Sequence, residues 1–257
     1  MEYEVKGDLF PCLVLSMKEG DEISCDAGAM AWMTPGVKMS TGTSGGVLKS
    51  LQRMASGESF FVNKYRASGP ALLSLTPKLI GTIESIKLNQ GDNIIIQRQA
   101  MFVQETSIES SIYLQRNIFS GLLSGESFVL TSLKGNGMAW LEVDGRAIMY
   151  NLKEGQQLEI STGNFVAMDS TCSMNIVRVK GITNMLFGKE GLCNVLVKGP
   201  GRVWLQTGSS KEYILNTVLP IMKRWIESKE TGDENGKDEQ EQWKKSNTIN
   251  EYCKFNI

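Results

Sequence analysis

Apolar and polar residues alternate in short runs across residues 1–208. Ile94, Ile96, Met138, Trp140, Leu158, Ile160, Val203 and Leu205 occupy every second position in runs bounded by Gly, Asn, Asp and Ser. A period of two closed by turn residues predicts strands with one buried face. Residues 78–145 alone predict six strands, near 79–88, 92–97, 100–104, 108–116, 127–133 and 138–143. Short, regularly spaced strands predict an all-β sandwich or barrel. After Gly208 the period lengthens. Ile214, Leu215, Val218, Leu219, Met222, Trp225 and Ile226 recur at three- and four-residue spacing, the pattern of an amphipathic helix over 211–228. Pro220 is expected to split it, because an interior proline removes a backbone bond and crowds the preceding turn.

Three signatures recur in the same order. Met17-Lys18-Glu19-Gly20-Asp21-Glu22-Ile23 resembles Leu88-Asn89-Gln90-Gly91-Asp92-Asn93-Ile94 and Leu152-Lys153-Glu154-Gly155-Gln156-Gln157-Leu158. Gly57-Glu58-Ser59-Phe60 recurs as Gly125-Glu126-Ser127-Phe128, with a weaker copy at Gly191-Leu192-Cys193-Asn194. The third is Ser68-Gly69-Pro70-Ala71-Leu72, then Asn136-Gly137-Met138-Ala139-Trp140, then Pro200-Gly201-Arg202-Val203-Trp204. Ordered repetition at near-constant spacing predicts one structural unit copied three times, at 1–77, 78–145 and 146–210. The repeated glycines are read as turn residues, since glycine reaches positive φ without steric cost.

Composition narrows the function. The chain has 257 residues and no histidine, which removes Ser-His-Asp and Cys-His catalysis and every His-liganded metal site. Its 27 basic and 28 acidic residues nearly balance. From Glu227 onward there are five basic and eight acidic residues; subtracting these leaves 22 and 20 in residues 1–226, too weakly basic to indicate DNA. Residues 229–257 begin with a run rich in charge and glycine and read as a flexible tail. Cys12, Cys25, Cys172, Cys193 and Cys253 are odd in number and contain no C-x-x-C pair, so they read as small buried residues in a reducing interior. The start, Met1-Glu2-Tyr3-Glu4-Val5-Lys6, has no apolar signal core, and no run is long enough to span a bilayer. A cytoplasmic protein, peripheral at a membrane at most, is expected.

Candidate chemistry is sparse. Gly42–Ser50 imitates a phosphate loop, but Leu48 and Thr43 stand where that loop needs glycine. Gly135-Asn136-Gly137 and Gly199-Pro200-Gly201 lack the third glycine and the following helix of a dinucleotide site. Asp26, Asp144 and Asp169 occupy related places, and turn-capping carboxylates explain them better than a cation site. Lys64, Arg66, Lys198 and Arg202 interleave with Tyr65 and Trp204 as an RNA-stacking surface would, yet Trp140 and Trp204 fall on the apolar face and read as core. Three apolar segments, near 44–56, 116–124 and 181–190, stand apart. They carry Leu48, Leu51, Arg53 and Met54, then Arg116, Phe119 and Leu122, then Met185, Leu186 and Phe187. Large apolar residues beside cations read as a contact for a membrane, a partner or another subunit, or as core beneath the sheet ends.

The runs at 45–61, 135–145 and 199–207 together resemble the bacterial and archaeal family related to the mitochondrial biogenesis (altered inheritance of mitochondria) proteins. The resemblance covers about residues 1–226. It implies duplicated double-stranded β-helix modules like the tryptophan RNA-binding attenuation protein, often assembled as homo-oligomers. It transfers no catalytic residue and no cofactor, and its mitochondrial branch is tied to inner-membrane organisation. The expectation is a non-enzymatic scaffold or binding protein, a homo-oligomer with a trimer favoured, with a membrane or membrane complex as partner. The alternative is a small-ligand or RNA-binding protein like the attenuation protein. A third option is an enzyme using carboxylates or a cysteine.

Overall fold

The structure is a computed structural model of the chain. It describes residues 1–41, 63–78, 80–117, 127–178, 193–209 and 217–230, with backbone alone at 41, 114–117, 127, 178, 193 and 227–230. Met1–Ser209 form one compact unit and Ser210–Ile257 a second.

Among the described residues of the first unit a leading strand, β1 (Glu2–Lys6), precedes three sets of six. The first set is β2 (Cys12–Met17), β3 (Glu22–Cys25), β4 (Met30–Met33), β5 (Val37–Thr41), β6 (Asn63–Ala67) and β7 (Ala71–Leu75). The second is β8 (Gly81–Leu88), β9 (Asn93–Gln97), β10 (Met101–Glu105), β11 (Ile108–Asn117), β12 (Ser127–Gly135) and β13 (Gly137–Asp144), the set whose six strands the alternation predicts. The third is β14 (Ala147–Leu152), β15 (Gln157–Ser161), β16 (Phe165–Asp169), β17 (Ser173–Arg178), β18 (Cys193–Lys198) and β19 (Gly201–Gln206). The described residues here are all-β apart from one 3-10 turn at Arg98–Ala100.

The first signature is a turn built the same way three times. Lys18 N–H donates to Asp21 Oδ2 at 2.8 Å, Asn89 N–H to Asp92 Oδ2 at 2.8 Å, and Lys153 N–H to Gln156 Oε1 at 2.7 Å. Gly20, Gly91 and Gly155 lie at φ of 86, 92 and 80°, a left-handed conformation that a side chain would strain.

The sets do not form separate sheets. The four sheets run β1-β2-β7-β4, then β5-β6-β3-β10-β13-β8, then β11-β12-β9-β16-β19-β14, then β15-β18-β17, and all pairings are antiparallel. Within a set, the first, sixth and third strands join one sheet, and the second, fifth and fourth join the next. The second strand of one set pairs with the third strand of the following set, as β3–β10 and β9–β16. A bulge interrupts each third strand at the same place, between Met30 and Trp32, Met101 and Val103, and Phe165 and Ala167. Such bulges bend the strand and sharpen its twist.

Three core clusters fill the gaps between successive sheets. The two central sheets are covered on both faces, which explains the unbroken Ile94-Ile95-Ile96 in β9. Ile94 and Ile96 join one cluster and Ile95 the next.

The third signature aligns differently in space. Met17 pairs with Ala71, Leu88 with Gly137 and Leu152 with Gly201, so Ala71 stands where its sequence match, Gly69, was expected. Arg66, Lys134 and Lys198 sit opposite equivalent residues. Ala71 follows Arg66 by five residues, whereas each glycine follows its lysine by three. Two residues are thus inserted in the first copy. An even insertion keeps every side chain on its face, so the alternation does not reveal it. Ser74 consequently occupies the position of Trp140 and Trp204, with its Oγ 2.6 Å from Cys12 Sγ.

In the second unit, helix α1 spans Leu219–Glu230. Pro220 stands at its second position, just after two π-helical residues at 217–218, so the helical geometry changes at the proline. Leu219, Ile221, Met222, Trp225 and Ile226 are exposed on it. Among the described residues, no helix is long and apolar enough to cross a membrane.

Candidate functional site

The three segments expected to form a contact join equivalent strands. They connect β5 to β6, β11 to β12 and β17 to β18, whose last described pairs are Thr41 with Asn63, Asn117 with Ser127, and Arg178 with Cys193. Leu48, Leu51, Arg53, Met54, Phe119, Leu122, Met185, Leu186 and Phe187 lie outside the described residues. Arg116 contributes described backbone only, paired with Phe128 in the β11–β12 ladder.

A different surface emerges from the described strands. Large apolar side chains are exposed mainly where sheets end: Tyr3 and Val5 on β1, Met30, Trp32 and Met33 on β4, Met39 on β5, Tyr113 on β11, and Ile148, Met149 and Tyr150 on β14. All five are edge strands. Proteins usually guard such edges with charge or proline, because unpaired N–H and C=O groups recruit further strands. In β14 three consecutive apolar residues are exposed, so side chains of both faces meet solvent. Sequence alternation does not single out these residues, because it says which face is buried but not which strand ends a sheet.

The polar residues at the junctions between sets are committed to structure. Lys78 Nζ lies 3.1 Å from Asp26 Oδ2, and Lys78 N–H donates to Glu142 Oε2 at 3.3 Å. Burial pushes the Glu142 carboxyl up to about 7, aided by Asp26 and Asp144 and opposed by both Lys78 groups. Burial first and the adjacent Asp26 second push the Cys25 thiol up to about 12, opposed by Lys78. At the other junction Arg202 meets Asp169 through Nε and Nη2, each at 2.9 Å, while the Arg202 N–H donates to the same carboxylate at 2.8 Å. The guanidinium lies 4.8 Å from the Trp204 ring centre, a cation–π contact. Trp204 and Trp140 are both core residues. The Trp204 side chain hydrogen-bonds Glu84, whereas the buried Trp140 Nε1 has no hydrogen-bond partner and its ring meets Tyr3 edge-on at 5.3 Å.

These features define a class: an all-β repeat protein whose copies share sheets and whose apolar exposure is concentrated at sheet edges. The mitochondrial biogenesis AIM24 family model matches residues 3–208, and the chain belongs to that family. No curated protein matches it. Among solved structures, the X-ray structure of protein SPYM3_0169 from Streptococcus pyogenes is similar, with a TM-score of 0.69 and 21% identity. The match covers 87% of this chain and 99% of that one, a likeness of fold.

Proposed function

We propose that the protein is a non-enzymatic cytoplasmic scaffold that binds partners through exposed strands of its β sets and works as a homo-oligomer, a trimer. The observation that carries this reading is the apolar exposure of edge strands, above all Ile148, Met149 and Tyr150 on β14. Exposed apolar patches on soluble domains mark contact sites. The states of Cys25, Asp26 and Asp169 support it further. A thiol raised to about 12 is protonated at neutral pH and a poor nucleophile, and Asp26 and Asp169 are held by cations.

The test is retention of protein, lipid and nucleic acid from a cell extract by the immobilised full chain and by a Met149→Asp variant. The scaffold reading expects a protein component that the variant loses. Retention of RNA or a small molecule instead would favour the ligand-binding alternative, and loss of the lipid component alone would assign the surface to lipid. Identical retention by both proteins would refute a role for β14.

A further inference from the structure

The first strand of each set pairs with the sixth on one side and turns its other side outward. Register makes the three equivalent residue by residue. Leu13, Val14 and Leu15 of β2 face Leu75, Ser74 and Leu73. Glu84, Ser85 and Ile86 of β8 face Leu141, Trp140 and Ala139. Ile148, Met149 and Tyr150 of β14 face Leu205, Trp204 and Val203. The outward sides differ. β2 carries β1 there, paired antiparallel from Glu2–Ser16 to Lys6–Cys12, with Tyr3 opposite Leu15 and Val5 opposite Leu13. β8 and β14 end their sheets.

Side chains separate the two free edges. In β8 a carboxylate and a hydroxyl replace the first two apolar residues. Glu84 is half-buried on the core face, where the Trp204 side chain hydrogen-bonds it. An inward-pointing charge guards an edge against strand addition. In β14 all three positions are apolar, as in β2, and they cover both faces: Ile148 and Tyr150 on one, Met149 on the other. Leu13 and Leu15 are 0% exposed, whereas Ile148, Met149 and Tyr150 are 42, 52 and 47% exposed. β14 thus has the composition of the strand that bears β1 and the exposure of a strand that bears nothing. Cations stand at both its ends. Arg146 precedes it and Lys153 follows it; both are exposed, and neither forms an ion pair with a described residue.

We propose that β14 receives an extended segment of a partner protein, paired antiparallel along its free edge as β1 is along β2, with apolar side chains at the segment's centre and an acidic residue at each end. This deepens the scaffold reading and rests on it, since it takes the exposed β14 as a contact surface. Backbone bonds to the edge supply affinity, and alternate side chains supply selectivity. The apolar centre covers Ile148, Met149 and Tyr150, and the acidic ends meet Arg146 and Lys153. The strand itself has six residues, so a segment of about eight reaches both cations. A foreign segment fits better than β1 of another copy. In the register that β1 keeps on β2, Lys6 would stand opposite Ala147, next to Arg146, and like charges there repel.

The experiment titrates the full chain into a capped, fluorescent peptide, Glu-Val-Thr-Tyr-Thr-Val-Thr-Glu, and reads anisotropy. Saturable binding is expected, weaker by about tenfold or more when both terminal residues are Lys. Met149→Asp should weaken the Glu-ended peptide by a similar factor. Arg146→Glu with Lys153→Glu should reverse the preference between the two peptides. All these positions are exposed, so thermal melting should show each variant folded. Backbone N-methylation gives the signature of strand pairing. Methylating one alternate set of peptide amides should abolish binding, and methylating the other set should leave it within about twofold, because one edge of the segment faces β14. Absence of binding, equal binding by Met149→Asp, or equal effects of the two methylated sets would overturn the proposal. A change in sedimentation of the chain alone on Met149→Asp would assign the edge to a second copy and overturn it too. A peptide that fails to bind while the chain still retains a protein through Met149 would sink strand addition and leave the scaffold reading intact. A peptide that binds as expected while no cellular protein is retained would do the reverse.

Discussion

Replacing Glu142 by glutamine should stabilise the protein above neutral pH and leave it unchanged in acid. Burial pushes the carboxyl up to about 7 in the folded chain, against an ordinary value of 4.5. Below about 4.5 both folded and unfolded states hold the proton and nothing distinguishes them. Between 4.5 and 7 the folded state keeps a proton that the unfolded chain has lost, so wild-type stability falls as pH rises. Above about 7 the fall is complete. At about 1.4 kcal/mol per pH unit the span corresponds to about 3 kcal/mol, and residual solvent contact at Glu142 brings it to about 2 kcal/mol. Glutamine is neutral throughout and retains an oxygen to accept the Lys78 N–H. The difference between variant and wild type should be near zero at about pH 4 and reach about 2 kcal/mol at about pH 8, or about 4–8 °C in melting temperature. Glu84, also raised by burial and opposed by its bond from Trp204, slopes the same way in both proteins and cancels in the difference. Denaturant titrations at matched protein concentration across this range measure it. A difference that is flat with pH, or larger in acid, would refute burial of the Glu142 charge as the cause.

Two further outcomes follow from the geometry. Trp140→Ala empties a site that is 0% exposed in the first core cluster and should cost about 3–5 kcal/mol in urea unfolding; a loss below about 1 kcal/mol would show that the cavity collapses without penalty. Gly81→Ala drives a methyl group into the Val143 carbonyl and the Gly145 amide, both backbone, and should destabilise by more than about 2 kcal/mol, whereas Gly91→Ala meets open space and loses only through its positive φ; equal melting temperatures for the two would contradict this.

The alternation reveals nearly all of the second set because each strand there has one face against a core and turn residues at its ends. The Gly-x-x turns are equally legible, since positive φ and a side-chain acceptor three residues from a donor are local properties. The two-residue insertion before Ala71 is hidden by the same periodicity that exposes the strands. Sheet sharing is hidden for another reason: no local feature of Ser24 or Gln104 says that their strands, far apart in sequence, will pair. The exposed residues of β4 and β14 were likewise missed, although Met30, Trp32 and Met33 within four residues are a signal of unusual bulk. The segments singled out instead, around Leu51, Leu122 and Leu186, lie outside the described residues. What the structure adds is that the strands flanking them are equivalent in the three sets.

Sharing of sheets also constrains how such a chain can have grown. A gene duplication copies a stretch of sequence that begins and ends between sheets, yet each copied stretch contributes strands to two of them. Inserting one more copy would add one more six-stranded sheet in the middle and leave both outer halves as they are. The number of repeats can therefore change over evolutionary time while the two outer half-sheets stay constant.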